Sequence, residues 1–379
     1  ALLLIIARFA ETIARRIGLP RTVFLVFTGL IVSIINYVFL KIEFSSIIYG
    51  FATIGIVILL FQAGLEGSLK YLVKGLRDAS LIAVGGVVGA MVSGLIVMDL
   101  LKLDFITGLA LGIIFSATSV SITVDALTDL GRADSREAVL IIEAAVIDDV
   151  VGLILVSFLA SQGESLDLFK LVVIPILALI IWYGTAIVSG RVMDDLLKSV
   201  ERLRLEYGVE TMALAILFIL AYIAQNIGLS SILLAYAYGV GLATHRYFAK
   251  RIGESAKLLS YLFAPIFFIL AGYRIDVGYI ASQSISSFLL TTITIVVFGF
   301  ISKIAGCYIA SRLIGLKHVE SLVIGVGMVP RLEVCIIAAT IAIDMGLINS
   351  AIYASILVMV VVTVIVTPIL LRRIIEKSR

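Results

Sequence analysis

The sequence predicts an all-α polytopic membrane protein of about thirteen transmembrane helices. Three observations lead there. Hydrophobic residues fill 61% of the 379 positions and charged residues only 15%, against roughly 25% in soluble domains. Apolar runs long enough to cross a bilayer recur from end to end. Basic residues fall in alternate connections between these runs, which a wrong helix count would scramble.

Cutting at charged and Gly/Pro clusters gives helices at about 1–17, 22–40, 46–65, 78–101, 105–130, 135–161, 168–193, 206–226, 229–244, 256–272, 284–314, 320–343 and 348–371. The first, ninth and tenth fall short of the roughly 20 residues a span needs. The chain opens inside an apolar run, ALLLIIARFA. No small-residue cleavage site follows, so this is read as a first membrane helix, trimmed at its start, and not as a signal peptide. Connections after odd-numbered helices, with the C-terminal tail, carry 22 of the 29 basic residues. Those after even-numbered helices carry Lys41, Lys102, Lys170 and Arg274, and Arg8, Lys303 and Arg331 lie within spans. The positive-inside rule then puts the N-terminus outside and the C-terminus in the cytoplasm. Cys307 and Cys335 both fall in spans and form neither a disulfide framework nor a metal cluster. Nothing points to catalysis, an organic cofactor or nucleic acid. A compact chain without tails suggests a prokaryotic inner membrane.

Thirteen helices divide as six, one and six. A first repeat of about 1–161 and a second of about 206–371 would lie in opposite orientations, joined by a linker helix at 168–193. The fifth helix carries Ser116, Thr118, Ser119, Ser121 and Thr123 at its middle. Its counterpart, the twelfth, reads GVGMVPRLEVCII, with Gly325, Gly327 and Pro330 interrupting it. Both are expected to break. Gly85, Gly86, Gly89 and Gly94 of the fourth helix permit close packing.

Asp148 and Asp149 lie together in an otherwise apolar run. One ionisable residue in a span costs roughly 2.5–3.5 kcal/mol on insertion scales, so an adjacent pair marks a functional site. Successive helical residues point about 100° apart. One aspartate can face a cavity while the other meets a partner. Unwound backbone is tolerated in a membrane only where it is buried in protein or lines a cavity. Carboxylates beside such a segment, with its hydroxyls and carbonyls, suit a hard monovalent cation. Thr118 and Ser119 are the candidate ion-lining residues.

ATSVSITV (Ala117–Val124) followed by AAVIDDVVGL (Ala144–Leu153) resembles the monovalent cation:proton antiporters, in the paired-aspartate branch of NhaA- and NapA-like Na+/H+ exchangers. GMVPRLE is similar to a segment common in that family. The resemblance spans nearly the whole chain. It implies two broken helices crossing at mid-membrane, a homodimer, and no cofactor. Matched in order, Asp148 takes the salt-bridging role and Asp149 the ion-binding role, with Na+ at Asp149 beside Asp148. Lys303, deep in the eleventh helix, matches the lysine that bridges the first aspartate. The implied activity is secondary active exchange of Na+ or Li+ for H+ by alternating access, with electrogenic stoichiometry.

Glu143, Arg331 and Glu333 also fall within spans. They read as an ion-pair network holding the broken helices, or as modulators of access or pH response. Glu143 departs from the family pattern, where a small residue is common. Glu66, in FQAGLEGSLKYL, and Asp125 are candidate cation attractors or solvated helix-end acids. His245 and His318 sit on cytoplasmic connections, and the chemistry of histidine in general makes a pH sensor there a remote reading. The nearest rival is K+/H+ antiport. Remoter ones are an organic-anion symporter of similar fold, a cation channel, and an intramembrane aspartyl protease, which needs its two acids on separate helices sharing one water.

Overall fold

The computed structural model describes residues 2–17, 20–40, 44–66, 76–133, 135–160 and 168–377. Lys41, Lys70, Lys74 and Arg379, which enter the charge count, lie outside them. All secondary structure among the described residues is helical. The elements are α1 (Leu2–Ile17), α2 (Arg21–Ile35, prolonged by a wider turn at Asn36–Leu40), α3 (Ser46–Glu66), α4 (Leu76–Leu101), α5 (Phe105–Ser116), α6 (Val120–Asp129), α7 (Arg136–Ala160) and α8 (Leu168–Arg202). There follow α9 (Gly208–Asn226), α10 (Ser231–Leu242), α11 (Arg246–Tyr273), α12 (Val277–Ser282), α13 (Ile285–Leu313), α14 (His318–Gly327), α15 (Glu333–Asp344) and α16 (Ser350–Lys377).

Each predicted segment coincides with one helix, except that 105–130 divides into α5 and α6, and 320–343 into α14 and α15. α8 runs nine residues past the predicted 193 and α16 six past the predicted 371, and two further differences have visible causes. α11 begins ten residues before the predicted 256, because Phe248, Ile252 and Ala256 recur at helical spacing and are buried beneath a charged face. α12 was masked by its polar setting; the Asp276 carboxylate accepts from the Tyr279 N–H, 2.9 Å, and starts it. Among the described residues nine helical stretches are long and apolar enough to cross a membrane by length and composition. α7 is not one of them, since Glu143, Asp148 and Asp149 interrupt its apolar run. Large apolar side chains stay exposed along α8 (Ile176, Ile180, Tyr183, Val188) and α13 (Leu289, Leu290, Ile293). In hydrocarbon such a surface is the ordinary outside of a helix.

The chain packs as two compact units. Unit 1 comprises 1–32, 38–70 and 153–272, and unit 2 comprises 33–37, 71–152 and 273–379. Unit 1 thus takes the first three predicted helices of each half plus the linker, and unit 2 the last three of each half. In unit 1 the buried Ile58, Phe61, Leu217, Tyr238 and Leu242 share one core, with the Phe61 and Tyr238 rings stacked 5.2 Å apart. α10 is apolar all round and buried all round. Arg251 of α11 ties to Glu210 of α9 at 2.5 Å and to Glu201 of α8 at 3.1 Å. In unit 2, Ile82, Ile141, Cys307, Ile324 and Met328 share a second core, drawn from α4, α7, α13 and the end of α14. All the elements of the candidate site lie in unit 2.

Candidate functional site

A helix end leaves backbone groups without intrahelical partners, and in a membrane these must be satisfied by protein. The two breaks of unit 2 satisfy each other. Ala117 (φ −62, ψ 138) and Ser119 (φ −115, ψ 106) are extended between α5 and α6. Met328–Leu332 separate α14 from α15, and Pro330 cannot donate there. The Ser119 N–H donates to the Pro330 carbonyl at 2.7 Å. The Thr118 hydroxyl donates to the Met328 carbonyl at 3.2 Å, and that of Thr123 to the Gly327 carbonyl at 2.6 Å. Two further carbonyls are held by Arg331, which is 0% exposed. Its Nη1 donates to the Val329 carbonyl (2.8 Å) and its Nη2 to the Phe115 carbonyl (2.7 Å) and to Ser302 Oγ (3.1 Å). The guanidinium therefore sits at the C-terminal, electronegative end of α5.

Against this crossing lies α7. Asp148 is 0% exposed, and both its oxygens accept from Lys303 Nζ, at 2.8 Å each. Asp149, one position on, is only partly buried. Among the described residues no hydrogen-bond donor reaches its carboxylate. The charges of Asp148, Glu333 and Lys303 all act on it. Glu333 is the first residue of α15, where the helix dipole favours an anion. Lys303 is thus the cation beside the two aspartates. It is committed to Asp148, so Asp149 and Glu333 need a proton or a small cation to be neutral.

The other predicted residues disperse. Arg331 and Glu333 do not pair with one another: the guanidinium goes to carbonyls, because helix ends offer it acceptors closer at hand. The Thr118 hydroxyl goes to the second break, and that of Ser119 lies 3.3 Å from the Ser121 hydroxyl. Glu143 faces Asp78 of α4 and not the aspartates. Asp125 is exposed on α6. Glu66, exposed at the end of α3, accepts from Gln62 at 3.2 Å and belongs to unit 1. His245 contacts the Gly190 carbonyl and Asp194, and His318 the Tyr308 hydroxyl. No cluster of three metal-ligating side chains occurs among the described residues. Sequence reasoning missed Ser302 and the Phe115 carbonyl. Ser302 precedes the lysine, but no local pattern says which helix it faces.

The family described as sodium/hydrogen exchanger, transmembrane, matches residues 1–377. A probable Na+/H+ antiporter of Bacillus cereus, GerT, is 31% identical over 372 residues, covering 98% of this chain and 97% of the relative. GerN of the same organism, named a Na+/H+-K+ antiporter, is 28% identical over 94% of this chain and 90% of its own length. The solved structure of the sodium proton antiporter MjNhaP1 from Methanocaldococcus jannaschii has the same fold, with a TM-score of 0.71 at 20% identity over 98% of this chain and 94% of its own. With its two mutually capped helix breaks and a lysine-bound aspartate in the interior, the chain belongs to the transmembrane sodium/hydrogen exchanger family.

Proposed function

We propose that this protein exchanges Na+ (or Li+) for H+ by alternating access, with Asp149 as the residue where the two compete. The observation that carries this reading is the unequal environment of two adjacent aspartates. Asp148 has Lys303 on both oxygens, whereas Asp149 shares its surroundings with Glu333 and has no donor of its own among the described residues. Carboxylates this close cannot all stay ionised without a cation, and they take up protons as a coupled set. At low pH protons occupy them; at high pH a Na+ enters beside Asp149, with oxygens from Glu333 and Ser119 in reach. Lys303 holds Asp148 while the site is empty and releases it as the ion enters. Moving the site with bare carboxylates is costly in hydrocarbon, which couples the two fluxes. One proton at Asp149 and one at the Lys303–Asp148 pair, exchanged for each Na+, make transport electrogenic. Family membership argues against a protease, as does the commitment of Asp148 to a lysine.

The same reading takes 1–161 and 206–371 as inverted repeats around a linker at 168–193, supported by the equal contribution of each half to each unit. It takes the protein as a homodimer in a prokaryotic cell membrane. K+/H+ exchange is the second reading, favoured by the K+ in the name of one relative. Acid-loaded proteoliposomes given Na+, Li+ or K+ test all of these arms. Wild-type protein is expected to dissipate the pH gradient with Na+ or Li+, faster when a membrane potential favours net charge movement, and Asp149→Asn not at all. Flux with K+ alone would replace the first reading by the second. Rates indifferent to potential would remove electrogenic exchange. Folded wild-type protein inert to every alkali cation would overturn antiport at this site.

A further inference from the structure

Lys303 reaches Asp148 through a slot that another helix leaves open. On α13 the residues bracketing the lysine, Ser302 and Gly306, press on the backbone of α4. A Cβ placed on Gly85 would stand 2.7 Å from the Gly306 carbonyl oxygen, and one on Gly89 would overlap that of Ser302. The two helices therefore touch backbone to backbone on either side of Lys303. Between these contacts sits Gly86. A Cβ there would lie 3.0 Å from Lys303 Nζ, 3.3 Å from its Cδ and 2.8 Å from Cys307 Sγ. The lysine stem passes directly over this glycine, and both of its ends are fixed: the backbone by the α4 contact, the ammonium by two 2.8 Å bonds.

We infer that Gly86 is a positioning residue of the exchange site, whose missing side chain lets the Lys303 ammonium seat on both oxygens of Asp148. This rests on the reading of Asp148 and Lys303 given above. α4 carries no ionisable group at this level, so its part in the site is purely one of shape. A methyl at position 86 displaces the Cys307 sulfur and pushes Nζ by a few tenths of an ångström, since the lysine end is a flexible side chain and Asp148 is buried. The ammonium then competes less well for Asp148 against Na+ and against protons.

The test is the set Gly86→Ala, Lys303→Met and the double variant, in proteoliposomes across a pH series. Gly86→Ala is expected to lower the half-saturating Na+ concentration several-fold, toward roughly tenfold as for other groups that orient a ligand. The acid limb of the pH profile moves to higher pH, because protons too meet a weaker rival. Lys303→Met shifts both in the same direction and further, and adding Gly86→Ala to it changes neither. A Gly86→Ala protein with wild-type Na+ dependence and pH profile would overturn the inference, as would equal shifts with and without the lysine, which mean packing alone. Should Gly86→Ala be too unstable to assay, thermal unfolding of the same four proteins decides: loss of stability confined to the lysine background supports positioning, and equal loss in both refutes it. Absence of exchange by the wild type would instead strike the proposed function and leave the unfolding cycle readable.

Discussion

Arg331 and Lys303 are both 0% exposed, yet they answer different needs. Lys303 meets a carboxylate, and deleting one member of a buried ion pair leaves the other unpaired at a cost of roughly 3–5 kcal/mol. Arg331 meets two carbonyls and a hydroxyl. Its five donors in a rigid fork allow it to serve both helix breaks at once, which a lysine cannot. Arg331→Met strands the Phe115 and Val329 carbonyls, at about 1–3 kcal/mol each. The expected outcome is unfolding at a clearly lower temperature in detergent, with Arg331→Lys intermediate. A Met variant as stable as wild type would show that the breaks do not depend on this residue. The aspartates and the lysine were legible in the sequence because a charge in an apolar run stands out. Ser302 and Gly86 were not, because a serine or a glycine in a membrane helix is unremarkable until its neighbour is known.

At the scale of elements, the two breaks define the site. Hydroxyls in one helix and Gly325, Gly327 and Pro330 in the other marked where each would come apart. That the loose ends satisfy one another, Ser119 to Pro330 and Thr123 to Gly327, required the fold to bring them together. α5 is anchored at its far end by Asp104, whose carboxylate accepts from the Thr107 N–H at 2.8 Å and lies 2.6 Å from the Thr107 hydroxyl. Burial pushes this carboxyl up, but the hydrogen bonds from Thr107 outweigh it, and Asp104 titrates below its ordinary value. A depressed carboxyl contributes stability above its unfolded-state value and loses it as pH falls through the folded one. Asp104→Ala is therefore expected to cost about 1 kcal/mol at neutral pH, as for other N-caps. The difference from wild type should narrow and close as the pH falls through the carboxyl's lowered value. Unfolding curves followed from pH 7 down through the acid range check this; a gap that stays equal throughout would rule out the ionised cap.

For the whole molecule, the alternation of basic residues predicts that the α4–α5 connection faces outward and the α8–α9 connection faces the cytoplasm. Lys102 and Arg204 are exposed in these two connections, and the native cysteines are buried. In right-side-out vesicles, a membrane-impermeant maleimide is expected to label Lys102→Cys and to spare Arg204→Cys. The reverse pattern would invert the topology. The assembly of unit 2 from the last three helices of each half is a long-range outcome. Its segments lie more than a hundred residues apart, and no local propensity encodes that pairing.

The sequence by itself determined the class of fold, the positions of the helices, the two breakable segments and the residues costly enough to need a function. These follow from hydropathy, backbone chemistry and the expense of charge in hydrocarbon, which are local properties of the chain. Only the tertiary structure decided that Arg331 caps carbonyls and does not pair with Glu333, that Thr118 is spent on the facing break, and that Lys303 lies over Gly86. The reason is physical: a buried polar group takes whichever partner packing brings within about 3 Å, and that choice is made between segments far apart in the chain.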